Sequence, residues 1–110
     1  MSEDCIFCKI ISKDIDADIL YEDDNVLVFS DINPVSSIHK LIIPKKHIRN
    51  VRYLKNTDLI VNIFNVINKL VEDLQIDDFK IVVNSGDKLQ MVKHLHFHLI
   101  SGDKVSDKLN

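Results

Sequence analysis

Tryptophan is absent from this chain of 110 residues, and aromatic residues of all kinds make up only 6% of it. The core must therefore be filled by Ile, Val and Leu, within a hydrophobic fraction of 45% that is ordinary for a globular protein. Their abundance favours strands, because β-branched side chains fit a pleated surface. No apolar run approaches the ~20 residues of a membrane span. The start, Met1-Ser2-Glu3-Asp4, is acidic and lacks the basic residues and apolar stretch of a secretory signal, so a cytoplasmic protein is expected. An excess of positive charge is missing too: 14 Lys and Arg face 17 Asp and Glu, for a net charge of -3. That excludes nucleic-acid binding through a broad basic footprint and leaves room for a small anion at a local site. Cysteine is scarce, with only Cys5 and Cys8. In a reducing compartment this C-x-x-C is not a structural disulfide. There is no internal repeat, low-complexity tract or linker, and the length suits one domain over 1–110 with a polar tail at 101–110.

The pattern along the chain predicts one or two helical turns over 5–11, with Ile6, Phe7 and Ile10 on one side. Residues 19–21 read as a short strand, 22–25 as a polar turn and 26–29 as a second strand. Residues 40–43 read as a third strand stopped by Pro44. A long helix is expected over 57–74, capped by Thr57 or Asn56, with an apolar stripe of Ile60, Ile63, Phe64, Ile67, Leu70, Val71 and Leu74. Residues 79–83 and 94–100 complete the strands. Hairpin-length turns favour antiparallel pairing. The expected fold is α+β: an antiparallel sheet of about five strands, with one long and one short helix on one face.

The most informative stretch is His94-Leu95-His96-Phe97-His98-Leu99-Ile100, which holds three of the chain's five histidines. Alternation along a strand puts the imidazoles on one face and Leu95, Phe97 and Leu99 on the other. For a lone histidine, an ordinary surface or satisfied core role would be preferred, but three at this spacing make that reading poor. A single metal held by all three is opposed by geometry. The outer Cα atoms would lie roughly 13 Å apart, whereas zinc ligands converge to about 2.0–2.1 Å from one ion. The third reading is catalytic: one neutral imidazole attacks and its neighbours orient it or bind charge.

These residues match His-φ-His-φ-His-φ-φ, with φ apolar, at every position, and the chain resembles the histidine triad (HIT) family. The resemblance extends to Cys5-Ile6-Phe7-Cys8-Lys9-Ile10-Ile11, Asp31-Ile32-Asn33-Pro34, Ile42-Ile43-Pro44-Lys45-Lys46-His47-Ile48 and Val82-Val83-Asn84-Ser85-Gly86. Together these cover nearly the whole chain in order and resemble the bacterial Hint-type branch. The resemblance implies that His96 attacks the α-phosphate of a nucleotide, forming a nucleotidyl-histidine that water then opens. The implied substrates are purine nucleoside phosphoramidates and related adducts, with AMP or GMP as the class of product. It implies phosphate or leaving-group roles for His98 and His39, ribose binding by Asp31, and a base sandwich of Ile6, Phe7, Ile10, Phe29 and Ile32, residues that also read as ordinary core. Asn84 and Gln90 match polar residues on the phosphate and leaving-group side.

In several bacterial relatives the C-x-x-C is completed by two histidines, His47 and His94 here, which implies a structural zinc. A homodimer with one continuous sheet is implied as well. The chain departs from the family pattern in three places. Lys88-Leu89-Gln90 stands in place of Gly-Gly-Gln in a loop one residue shorter, Met91 stands where a small hydroxyl residue is usual, and Asp16 replaces a common proline. Met91 can offer the scissile group only its backbone N–H, a feature that favours a purine-nucleotide-binding protein with little catalysis. A dinucleoside polyphosphate hydrolase is a third reading.

Overall fold

The computed structural model describes residues 5–103 and 105. Five strands form one antiparallel sheet: β1 (Ile19–Glu22), β2 (Val26–Ser30), β3 (Ile38–Pro44), β4 (Lys80–Val83) and β5 (Phe97–Ser101), in the order β1-β2-β3-β5-β4. A short helix α1 (Ile6–Ile11) precedes the sheet, and a long helix α2 (Thr57–Asp73) lies between β3 and β4. The α+β fold and its sheet are as the sequence predicts. No helix among the described residues is long and apolar enough to cross a membrane.

Local chemistry explains the element boundaries. Asp23 closes the β1–β2 hairpin by accepting the Asn25 and Val26 N–H groups on Oδ1, both at 2.8 Å. Its Oδ2 accepts the Tyr21 hydroxyl at 2.8 Å and the Asn62 amide at 3.2 Å, which ties the turn to α2. Asn56, not Thr57, caps α2: its side chain accepts the Leu59 N–H at 3.0 Å and satisfies one of the free donors of the first turn.

Contrary to expectation, the helices cover opposite faces. Side chains of β2 are buried alternately on both sides: Val26 and Val28 join Ile63, Val66, Ile67 and Leu70 of α2, while Leu27 and Phe29 join Phe7, Cys8 and Ile10 of α1. A strand buried on two faces needs a cover on each. The buried stripe of α2 is Ile63, Val66, Ile67 and Leu70, an i, i+3, i+4, i+7 set, whereas Phe64 is 47% exposed. On α1, Cys8 takes a buried place and Ile6 is 42% exposed.

Two strands differ from their expected bounds by more than one residue at an end. β3 begins at Ile38 and includes Pro44, which pairs with Val26 at the strand's end and presents its carbonyl to His94. β5 begins only at Phe97. The chain before it leaves the ladder because the Leu95 N–H donates to Ile48 O at 2.7 Å rather than to a strand. Ser101 belongs to β5 and is buried; of the expected polar tail, 104 and 106–110 lie outside the described residues.

Candidate active site

Although only His98 lies within β5, the alternation survives in the side chains. Leu95, Phe97 and Leu99 enter the α2-side core, while His96 and His98 face the other side with ring centroids 5.0 Å apart. His39 belongs to β3 and reaches the same place, because Leu41 pairs with His98 and His39 with Ile100 across the ladder. Phe7 of α1 stands edge-on to the His96 ring at 5.1 Å and to Phe29 at 5.3 Å. The short helix thus forms an apolar wall beside the buried His96.

Hydrogen bonds assign the protons on these rings. The His96 Nδ1–H donates to the His94 carbonyl at 2.7 Å, so Nε2 carries the lone pair. Burial lowers the pKa of His96, against the opposing effects of that carbonyl and the Asp31 charge, so the ring is neutral at neutral pH. The Val35 N–H donates to His39 Nδ1 at 3.2 Å, which puts the His39 proton on Nε2. That proton is donated to His98 Nδ1 at 2.8 Å, leaving His98 with its own proton on Nε2. Burial first, then the neighbouring His96 and His39, push His98 down to about 4. Asp31 Oδ2 lies 3.4 Å from His39 Nε2. The donors of Asp31, His39 and His98 lie within 4.8 Å of one another, but the Val35 bond makes His39 Nε2 a proton donor rather than a metal ligand. The arrangement supplies one unprotonated nitrogen and one N–H on adjacent rings, which suits attack on an electrophile and donation to the charge that develops.

Residues expected at the base and phosphate fall into two groups. Phe7, Ile10 and Phe29 are buried in the α1-side core, whereas Ile6 is exposed and Ile32 is 86% exposed on the loop after β2. Asn84 is half-buried at the end of β4. Gln90 is buried and its amide is engaged within the loop: Oε1 accepts the Gly86 N–H at 3.0 Å, and Nε2 donates to Arg49 O at 2.8 Å and to Val92 O at 3.2 Å. Lys93 Nζ adds bonds to the Asp87 and Gln90 carbonyls. Met91, at the tip, is 96% exposed. A cavity of about 960 Å³ bordered by Lys45, His47, Arg49, Tyr53 and Asn62 includes none of His39, His96 and His98.

Cys5, Cys8, His47 and His94 meet on the same α1 side, where Phe7 also stands edge-on to the His94 ring at 6.1 Å. Cys8 Sγ lies 3.2 Å from His47 Nδ1 and 3.5 Å from His94 Nδ1, and Cys5 Sγ lies 3.4 Å from His94 Nδ1. All four ligand atoms fall within 4.8 Å of one another. A tetrahedral ion with bonds of about 2.3 Å to sulfur and 2.0–2.1 Å to nitrogen has sulfur–nitrogen edges of about 3.5 Å, so the set fits a metal. His94 Nε2–H donates to Pro44 O at 2.8 Å, fixing the tautomer that turns Nδ1 to the thiols. Burial, with a hydrogen bond to Cys5, pushes the Cys8 thiol up to about 11, and burial pulls His94 down to about 4. A divalent cation would reverse the preference of the thiol and is the natural counter-charge here. The Val35 N–H was not foreseeable as a site group, because a backbone donor after Pro34 leaves no mark in the pattern.

A family model described as "Scavenger mRNA decapping enzyme C-term binding" matches residues 4–110. A HIT-like protein of Synechocystis is 41% identical over 110 residues, covering 96% of each chain. The protein hit of Bacillus subtilis is 41% identical over 105 residues, covering 90% of this chain and 71% of its own. Among solved structures, a HIT family hydrolase from Clostridium thermocellum has a TM-score of 0.91 at 39% identity and full coverage of both chains. A histidine triad protein from Clostridium difficile has a TM-score of 0.89 at 39% identity, covering 97% of each chain.

Proposed function

Because the chain belongs to the histidine triad family, with a HIT hydrolase among its structural neighbours, we propose that it is a Hint-type purine nucleoside phosphoramidate hydrolase of the cytoplasm. The observation that carries the reading is the His96 Nδ1–H bond to the His94 carbonyl, at 2.7 Å, on a buried ring whose Nε2 is left unprotonated. That nitrogen bonds to the α-phosphorus as the bond to the leaving amine or phosphate breaks; the His98 Nε2–H hydrogen-bonds to the phosphoryl oxygens, and a leaving amine takes its proton from water. Water then attacks phosphorus, loses a proton to solvent and frees His96, releasing AMP or GMP. His39 holds the His98 proton outward. Asp31 accepts the ribose hydroxyls, while Ile6 and Ile32 form the exposed flanks of a base site backed by Phe7, Ile10 and Phe29. Asn84 and Met91 border the leaving group, and Gln90 shapes that loop.

In this reading Cys5, Cys8, His47 and His94 hold zinc. Four protein ligands close the coordination sphere, so the ion is structural, locking α1, the loop after β3 and the backbone that orients His96. The same reading makes the protein a homodimer, with the outer strand β4 continuing the sheet into a second copy.

The deciding experiment compares the protein with His96→Ala on a fluorogenic adenosine phosphoramidate. The variant is expected to lose roughly 10⁴-fold or more in kcat while still binding AMP. Binding without turnover by the intact protein would replace the hydrolase with a nucleotide-binding regulator, the reading that an exposed Met91 without a hydroxyl favours. Preferential cleavage of a dinucleoside polyphosphate would move it to another branch of the family.

A further inference from the structure

Segment 31–37, between β2 and β3, carries two groups used above, and both depend on its backbone path. Asp31 is held in a side-chain turn by the Asn33 N–H, which donates to Oδ1 at 2.8 Å, and its own N–H donates to His39 O at 3.0 Å. The Val35 N–H fixes the proton of His39. The far end of the segment rests on Gly102. Ile38 pairs with Ser101 across β3 and β5, so Ser37 and Gly102 continue the approach one residue beyond the ladder. Gly102 has φ +119, and a Cβ built there would lie 2.1 Å from Ser37 Oγ, 2.8 Å from Ser36 Oγ and 3.3 Å from Ser37 Cβ. Real Cβ atoms do not approach so closely, so a side chain at 102 must turn the Ser37 and Ser36 hydroxyls aside and press on Ser37 Cβ. Ser36 is buried and its hydroxyl has no hydrogen-bond partner among the described residues. Packing against the end of β5, not bonding by that hydroxyl, therefore seats it.

We propose that Gly102 is a positioning residue for the nucleotide site: its missing side chain lets segment 31–37 sit down on the end of β5, which sets the Asp31 carboxylate and the Val35 N–H that orients His39. The inference rests on the roles given above to Asp31 and His39. Gly102 touches no reacting atom and acts through the two serines.

The test uses the full chain with Gly102→Ala, and with Gly102→Ala combined with Ser36→Ala and Ser37→Ala. The single variant carries both the overlap and the strain of a side chain at positive φ, whereas the combined variant keeps the strain but removes the 2.1 and 2.8 Å contacts. The expected result is a loss of roughly 10- to 100-fold in kcat/KM for Gly102→Ala, with most of it regained in the combined variant although that variant still melts below the parent, because the strain at positive φ remains. A merely structural role would make activity follow the melting temperature, and that outcome overturns the proposal. The ¹⁵N shifts of the Val35 amide and His39 Nδ1 supply a readout without substrate: they should move in the single variant and return in the combined one. If the intact protein neither binds nor hydrolyses nucleotide, the functional reading falls and these shifts alone decide; unmoved shifts refute the inference whatever the activity. Should Gly102→Ala not fold, Ser36→Val crowds the same contact with Gly102 intact, and an unchanged kcat/KM with unchanged shifts refutes it equally.

Discussion

His98 shows how one side chain's environment reaches the stability of the whole chain. Burial, then the nearby His96 and His39, hold it neutral down to about 4 in the folded state, against an ordinary value near 6.5 in the unfolded chain. Between those values the unfolded chain takes up a proton that the folded chain refuses, so falling pH favours unfolding; above about 6.5 the two states bind alike and this residue adds no pH dependence. Thermal melts from pH 7.5 to 4.5 should therefore show a steeper loss for the parent than for His98→Gln. Parallel curves would show that the ring titrates alike in the folded and unfolded chain. The triad spacing made all three histidines legible as a unit, but not their division of labour. His94 turns toward the thiols and Pro44, while His98 turns toward His39 and His96 packs beside His98 and Phe7, because the Leu95 N–H bond to Ile48 takes the backbone off the strand between them.

Among the elements, α2 was read closely from its period, yet its exposed face carries information too. Val61 and Phe64, an i, i+3 pair on one side of the helix, are both largely exposed, and Phe64 reaches Phe97 at a ring distance of 5.9 Å. Stripe counting included Phe64 and left out Val66; Val66 is buried instead because it lies between Ile63 and Leu70 on the face turned to the sheet. If the proposed homodimer covers this face, Phe64→Glu removes about 1.5–3 kcal/mol of apolar burial, which weakens association roughly tenfold or more. Sedimentation should show the variant moving toward the mass of one chain while its circular dichroism stays unchanged. Equal association of variant and parent would take α2 out of the interface.

At the scale of the molecule, the Cys5, Cys8, His47 and His94 cluster joins segments far apart in sequence, with the Cys5–His94 contact spanning 89 residues. A bound ion there closes long loops and favours the folded state by its binding free energy. Purified protein should contain about one zinc per chain, and chelation should lower the melting temperature and with it phosphoramidate hydrolysis. Cys8→Ser should lower zinc content and melting temperature in the same direction. A chain that holds no metal and melts alike with and without chelator would leave the cluster as a packed thiol–imidazole group.

The sequence by itself determined the α+β class, the strand order's raw material and the long helix, and it singled out the histidines and cysteines that the fold brings together, because each of these is written in local periods and residue types. Alternating Leu95, Phe97 and Leu99 had to point away from His96 and His98 once the chain was extended. Tertiary structure alone decided which face each helix covers, where β5 begins, which nitrogens carry protons and how segment 31–37 is seated. Those outcomes depend on partners remote in sequence: the Ile48 carbonyl for Leu95, the Val35 N–H for His39, the Pro44 carbonyl for His94 and the bare Cα of Gly102 for Ser36 and Ser37. A backbone donor or acceptor is present at nearly every residue and leaves no trace in composition or spacing, so only the folded chain selects the ones that set the chemistry.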